Sequence, residues 1–517
     1  MMQNVSRSLS DLLGSAYLKA VCRAHAFLTG ASLDACEALA NEKVDFYPPA
    51  FAERQEVLMA QIGKQAVPPF SCEGVGAPSA SYRAAQRTPA SPLGGLGAFR
   101  IGENGKLYFA GKSEHYHIPL GHSFPGYRLV EFAKKLGIPN ATHNNTRGYI
   151  TRLLERRLVA AANGLAPDDE ETLNAILEKK EPGVLNGVIN LETGSLAVEA
   201  ALKMMLSRFY SLNGTPAPYA GRIPVFLVMA DRAGGVTAGY HGTTIFAQTM
   251  RGLWPAFEKK AEDAELYKVV PVPINDPEAF REILQRYNTP PYKTAGFCHE
   301  IILMNYGGIR LSEEFLQSAY AACRETDTPV LCDEIQSCAW CEGLFLFRQY
   351  GLKPDFVSIG KGFGGGQYPA SRILFSKAFD TLDQFGALVT NGQEELASLV
   401  YLITIEFLQE NGALITEAGR YYEEQTKALA ARYPDVCAGV EGQAHMTALR
   451  FFTVEDAVAF CRFLNDACID ISAQAYKPNC PPVALTKLPL ITTPAMVDLL
   501  LSHFEDALQS LAKKEGA

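Results

Sequence analysis

The segment Val330–Ser376, VLCDEIQSCAWCEGLFLFRQYGLKPDFVSIGKGFGGGQYPASRILFS, gathers the residues best suited to covalent chemistry. Lys361 stands between Gly360 and Gly362, directly after the apolar run Phe356–Ile359. Asp333 follows the apolar run Val330–Cys332, 28 positions before the lysine. A lysine flanked by glycines at a sheet edge can bring its amine close to a carbonyl carbon, as Schiff-base formation requires. A carboxylate at the end of a neighbouring strand suits another task, holding a proton on the ring nitrogen of a cofactor. Gly360–Gly365 formally matches GxGxxG, but a dinucleotide fingerprint opens a helix, and this loop runs into Pro369 and the apolar Ile373–Phe375. It is no Walker A loop either, because Gly362 follows Lys361 where Ser or Thr is required.

Asp333-Glu334-Ile335-Gln336, Pro354-Asp355 and Gly360-Lys361-Gly362 together resemble the class III (omega-type) aminotransferases, pyridoxal-phosphate enzymes of fold type I. The resemblance implies that Lys361 holds the cofactor through a Schiff base and, once displaced, shuttles a proton between substrate carbon and cofactor. It implies that Asp333 pairs with the pyridinium nitrogen and that Gln336 hydrogen-bonds the phenolic oxygen.

Further motifs follow in the family's order. Thr193-Gly194-Ser195, before Leu196–Lys203, is similar to Ser-Gly-Ser-Glu-Ala-Val-Glu-Ala-Ala-Leu-Lys, with Leu196 where the family has its first Glu. Gly194 and Ser195 are the implied phosphate ligands, at a helix start whose free N–H groups suit an anion. In isolation the same residues read as an ordinary capped helix. Gly239–Thr244 looks like the family's aromatic-His-Gly-Arg-Thr element, so Tyr240 is expected on the ring face. His241 is either a neighbour of the ring or a structural histidine. Glu300–Gly307 resembles the Glu-Pro segment, in the Met-Asn form of the glutamate semialdehyde aminomutase branch, and makes Glu300 a cofactor-side candidate. Val389–Gly392 is similar to Thr-(Phe/Tyr)-x-Gly-x-Pro without its Pro. Thr390 would then cap the phosphate of a partner's cofactor, which implies a homodimer with shared active sites. Glu103–Tyr108 and Leu120–Pro125 resemble the family's N-terminal segment.

The substrate side departs from the pattern. The family's arginines correspond to Thr243, Cys341 and the neighbourhood of Leu485. Arginine binds carboxylates bidentately and is hard to replace. Arg147, Arg372 and Lys487 are candidate substitutes, each against the alternative of a solvated or structural basic residue. Cys338 and Cys341 form a single CxxC, and His115 and His117 a weak metal motif; no metal is expected from either.

These residues need strands to carry them. Leu185–Asn190, Pro224–Met229, Val269–Val272, Phe297–Met304, Val330–Cys332, Phe356–Ile359 and Arg372–Phe375 read as strands, rich in Val, Ile, Leu and Phe. Leu196–Tyr210 and Ser312–Glu325 read as helices between them, and helices dominate 394–431 and 494–513. Strands alternating with helices predict an α/β fold with a mostly parallel sheet. The resemblance makes it a seven-stranded fold type I large domain with a small α+β domain. The expected division is a helical extension and Pro/Gly-rich linker at 1–95, a first part of the small domain at 96–150, the large domain at 151–412 and the rest of the small domain at 413–517. Within the extension, helices are expected over 8–30, from Ser32, and after Pro49, with 67–97 a loop.

Composition sets outer bounds. Forty-seven Lys and Arg against 56 Asp and Glu give a net charge of -9, which argues against a nucleic-acid partner. The 12 cysteines form no compact framework, as befits a reducing compartment. No secretory signal or membrane-spanning run is read, and a cytoplasmic location is expected. The leading expectation is a pyridoxal-phosphate-dependent aminotransferase passing an amino group from an amine or amino acid to a keto acid or aldehyde. The alternatives are an aminomutase, racemase or decarboxylase of the same fold, or a non-catalytic scaffold.

Overall fold

Seven strands build the central sheet of the computed structural model, which describes residues 2–70, 76–474, 477 and 479–515. They are β1 (Gly187–Leu191), β2 (Ile223–Met229), β3 (Lys268–Val272), β4 (Tyr292–His299), β5 (Val330–Asp333), β6 (Phe356–Ile359) and β7 (Ser371–Phe375). Their spatial order is β1-β7-β6-β5-β4-β2-β3. Neighbours from β6 through β3 pair in parallel, and β7 runs antiparallel to both β6 and β1. Continuous apolar runs suit strands covered on both faces, and β2, β5, β6 and β7 are buried almost throughout.

The expected strands are present, most of them with shifted ends. The run Phe297–Met304 is not one strand: β4 stops at His299, and Ile302–Leu303 pairs instead with Ile309–Arg310. Apolar periodicity alone does not mark where a buried strand leaves its sheet. The helical region 394–431 breaks at Asn411 into Glu395–Glu410 and Gly412–Ala431. In the extension, Gly14 at φ 85° separates the helices Leu9–Leu13 and Ser15–Thr29, Ser32 caps Leu33–Asn41, and Pro49–Met59 follows. Stretch 67–97 is more ordered than a loop, with a helix at Ala80–Ala85 and a strand at Pro92–Leu96; residues 71–75 lie outside the described residues.

Two large apolar cores matter here. Leu9, Leu13 and Phe46 of the extension share the first with Phe124, Phe407 and the face of the sheet that carries Phe297 and Cys332. Arg7 fastens the extension to the helix Glu395–Glu410 through Glu406 at 2.7 Å and Glu410 at 2.8 Å. The second core joins the two ends of the chain: Phe99, Leu107 and Phe109 pack with Tyr422, Phe460 and Phe504. Backbone bonds of 2.9 Å from Phe109 N to Cys468 O and from Asp470 N to Phe109 O stitch them together. Among the described residues, no helix is long and apolar enough to cross a membrane.

Candidate active site

The chemistry-bearing residues meet at the carboxyl edge of the sheet, where ligands bind open α/β sheets. Asp333 ends β5, Lys361 stands two residues beyond β6, and Gly194–Ser195 opens the helix that follows β1. A cavity of about 470 Å³ runs between these last two, lined by Thr193, Gly194, Ile335, Gly360, Lys361 and His117. A larger cavity, about 760 Å³, lies near Arg87 and Asp466 and includes none of the expected site residues.

Asp333 is 4% exposed, and both of its oxygens have partners. Its Oδ2 lies 2.9 Å from His241 Nδ1, and its Oδ1 accepts from Ser358 Oγ at 2.5 Å and Ile335 N at 3.2 Å. His241 is thereby tied to Asp333, while among the described residues its Nε2 is buried without a partner. Ser358 was missed. Its only signal is a lone hydroxyl in an apolar strand, and its importance comes from facing Asp333 across β5 and β6.

Burial lowers the proton affinity of the Lys361 amine, against the pull of Glu300, Asp333 and Cys338. Its Nζ is 5.5 Å from the centre of the Tyr116 ring. Glu300, just after β4, is buried, and burial, then the Asp333 charge, pushes its carboxyl well above the ordinary range. Lys477, Lys361 and Lys487 pull it back. Among the described residues, Glu300 Oε2, Gln336 Oε1 and His241 Nε2 are buried without a hydrogen-bond partner. Such groups are costly unless a ligand or water satisfies them.

At the helix start, Ser195 Oγ accepts from Thr243 N at 3.0 Å and lies 3.1 Å from Thr243 Oγ1. Gly242, at φ 116°, permits this approach, since a Cβ there would stand 2.8 Å from Ser195 Cα. Tyr240 is half-buried, with the Arg251 guanidinium 4.7 Å and Lys477 Nζ 6.0 Å from its ring centre. Lys477 donates to the Thr237 carbonyl at 3.1 Å and reaches this loop from the other end of the chain; nothing in the sequence signals it.

The remaining candidates lie elsewhere or are already occupied. Thr390 is exposed and does not line the Lys361 cavity. Arg147 pairs with Glu155 at 3.2 Å beside a separate cavity of about 350 Å³. Arg372, 1% exposed, donates to Asn190 Oδ1 at 3.0 Å and Ser398 Oγ at 3.1 Å and stacks on Tyr401 at 4.1 Å. Lys487 is fully buried, donates to the Gln336 carbonyl, and lies 3.8 Å from the centre of the Trp340 ring. Of the three basic substitutes only Lys487 stands beside Lys361, whose charge, after burial, lowers its proton affinity further. Cys338 and Cys341 are free, and burial raises both thiols, Cys338 to about 12. Thiols so placed are poor redox groups.

A sheet with one reversed strand, a lysine after its sixth strand and a carboxylate at the end of its fifth define a fold type I enzyme body. The aminotransferase class-III family model matches residues 140–508, and the chain belongs to that family, whose enzymes depend on pyridoxal phosphate. The acetylornithine aminotransferase of Parasynechococcus marenigrum is 26% identical over 264 residues, 50% of this chain and 58% of that protein. The ornithine aminotransferase of Emericella nidulans is 24% identical over 347 residues, 64% of this chain and 71% of that protein. Among solved structures, a transaminase from Virgibacillus superposes with a TM-score of 0.67 at 15% identity, covering 89% of this chain and 99% of that one. The acetylornithine aminotransferase from Elizabethkingia anophelis gives 0.63 at 19% identity, covering 82% and 95%. At these identities the structures speak to the fold.

Proposed function

We propose that the chain is a pyridoxal-phosphate-dependent aminotransferase, moving an amino group from an amine or amino acid to a keto acid or aldehyde. The observation that carries this reading is the convergence of Lys361, the Asp333–His241–Ser358 cluster and the glycine-lined helix start at Gly194–Ser195 on one sheet edge. The residues fit the cofactor. The helix start, with Ser195, suits its phosphate. Asp333 suits its ring nitrogen, Tyr240 its ring face, and Gln336, which has a donor nitrogen, its phenolic oxygen. Glu300 and His241 contribute buried polar atoms alongside. When bound, pyridoxal phosphate supplies an electron-accepting ring. The protein orients it: Ser358 and His241 fix Asp333, and Lys361, made easier to deprotonate by burial, takes the proton from the substrate carbon.

Thr390, exposed and away from the Lys361 cavity, is assigned to the site of a second copy, so that the working unit is a homodimer with shared sites. The second core supports a small domain built from 96–150 and 413–517 around a large domain at 151–412, with 1–95 as an extension. Free cysteines are in keeping with a cytoplasmic enzyme. Borohydride reduction and peptide mapping test the reading: the pyridoxyl label is expected on Lys361, and a label absent or on another lysine overturns it. Spectral screening of amines would then identify the donor.

Thr243 and Cys341, where family arginines are replaced, favour a second reading, an intramolecular aminomutase. Release of a free carbonyl product from the amine donor decides for transamination.

A further inference from the structure

Ser113, Glu114, His115 and Tyr116 have φ values of 47°, 47°, 60° and 77° in succession. None is glycine, and left-handed backbone crowds each Cβ against the following carbonyl. Such strain persists only where the surroundings over-determine it, and it gathers at functional sites.

The surroundings here are specific. Glu114 Oε1 accepts from Arg100 at 2.5 Å and lies 3.0 Å from His122 Nε2. Arg100, 4% exposed, also donates to Asp470 at 2.9 Å and to the Ala90 carbonyl at 3.3 Å. Ser113 Oγ donates to the Lys487 carbonyl at 2.6 Å. The turn is therefore tied to the strand Phe99–Gly102 on one side and to the segment bearing Lys487 on the other. It delivers the buried Tyr116 ring, whose centre is 5.5 Å from Lys361 Nζ and 5.0 Å from Lys487 Nζ.

We propose that Glu114 is a positioning residue: through Arg100 it holds the left-handed turn that sets the Tyr116 ring against the amines of Lys361 and Lys487. The inference rests on the reading of Lys361 as the cofactor-bearing lysine. The negative face of an aromatic ring favours the charged form of a nearby amine, so a displaced ring lets Lys361 lose its proton more readily. The other groups facing Lys361 are Glu300, Asp333, Cys338, Lys487, His115 and His117. Glu114 itself faces Arg100, His122, Asp470 and His117.

The test uses the full chain and pyridoxal phosphate as probe. Capture on Lys361 is followed from neutral to alkaline pH by borohydride reduction and peptide mapping, and kcat and KM are measured on the loaded enzyme. Glu114→Gln and Tyr116→Leu are each expected to move the capture midpoint down by about one pH unit. Each lowers kcat roughly tenfold, with a smaller change in KM. Glu114→Asp restores part of both effects, and Tyr116→Phe keeps the wild-type midpoint. The double variant Glu114→Gln/Tyr116→Leu shows less than the sum of the two, since both act through one ring. A Glu114→Gln protein with lower thermal stability but wild-type midpoint and kcat overturns the proposal, and so does additivity in the double variant. Absence of label on Lys361 in the wild-type chain overturns the reading of the site, and this proposal with it.

Discussion

Asp333 and Ser358 face each other across the parallel strands β5 and β6, and the Ser358 hydroxyl donates a 2.5 Å hydrogen bond to Asp333 Oδ1. Hydrogen bonds to charged groups are worth about 1.5–3 kcal/mol. Ser358→Ala is therefore expected to loosen the hold on the Asp333 carboxylate and to lower kcat/KM roughly tenfold while the cofactor stays bound. Steady-state kinetics with a cofactor titration check this; unchanged kcat/KM contradicts it.

Lys361→Ala removes the amine altogether. Activity should fall by roughly 10³-fold or more, and the borohydride-fixed label should vanish from the peptide containing residue 361.

Glu334 is fully buried, accepting from Ser337 Oγ at 3.1 Å, Leu346 N at 3.0 Å and Phe347 N at 2.6 Å. Burial raises its carboxyl from 4.5 to about 7. The folded value exceeds the unfolded one, so the contribution is fully present below pH 4.5 and is lost as pH rises through about 7. The loss is on the order of 3 kcal/mol. Melting curves of Glu334→Gln should depend less on pH across this window than those of the wild type; parallel slopes would contradict the assignment.

Thr390 tests the shared site. Lys361→Ala and Thr390→Ala homodimers should each be impaired. After mixing and refolding, a mixed dimer carries one site with both native residues, so activity returns toward roughly a quarter of wild type. No recovery in verified mixed dimers argues that each subunit completes its own site.

Arg372 separates structure from substrate. It is buried between Asn190, Ser398 and Tyr401, so Arg372→Met should cost about 1–3 kcal/mol by leaving Asn190 and Ser398 unpaired. KM for a carboxylate substrate should stay within about twofold of wild type in the folded fraction. Thermal melts and KM together distinguish the roles.

Much of the sheet is legible in the chain because its strands are uninterrupted apolar runs. Phe356–Ile359 matches its predicted limits, and Lys361 and Asp333 stand out because their neighbours already suggest chemistry. The run through Met304 misleads because Ile302 and Leu303 are as apolar as the strand before them but pair elsewhere. Ser358 on Asp333, Lys487 against Trp340 and Lys477 beneath the Tyr240 loop depend on which distant segments become neighbours. Local spacing holds no record of that. The left-handed turn at Ser113–Tyr116 is invisible for a related reason: its residues have no preference for that backbone and adopt it under outside constraint.

The extension has a consequence for how the molecule is made. Gln3 bonds Asn411 across 408 positions, and Arg7 bonds Glu406 across 399. Contacts between such remote positions must wait until both partners have been synthesised, and closing so large a loop is slow. The extension is thus seated on the helix Glu395–Glu410 late, although it precedes it by about 400 positions. Until then the Tyr47 ring lacks Phe407, 6.2 Å away in the finished fold, and that apolar face of the extension stays open to water.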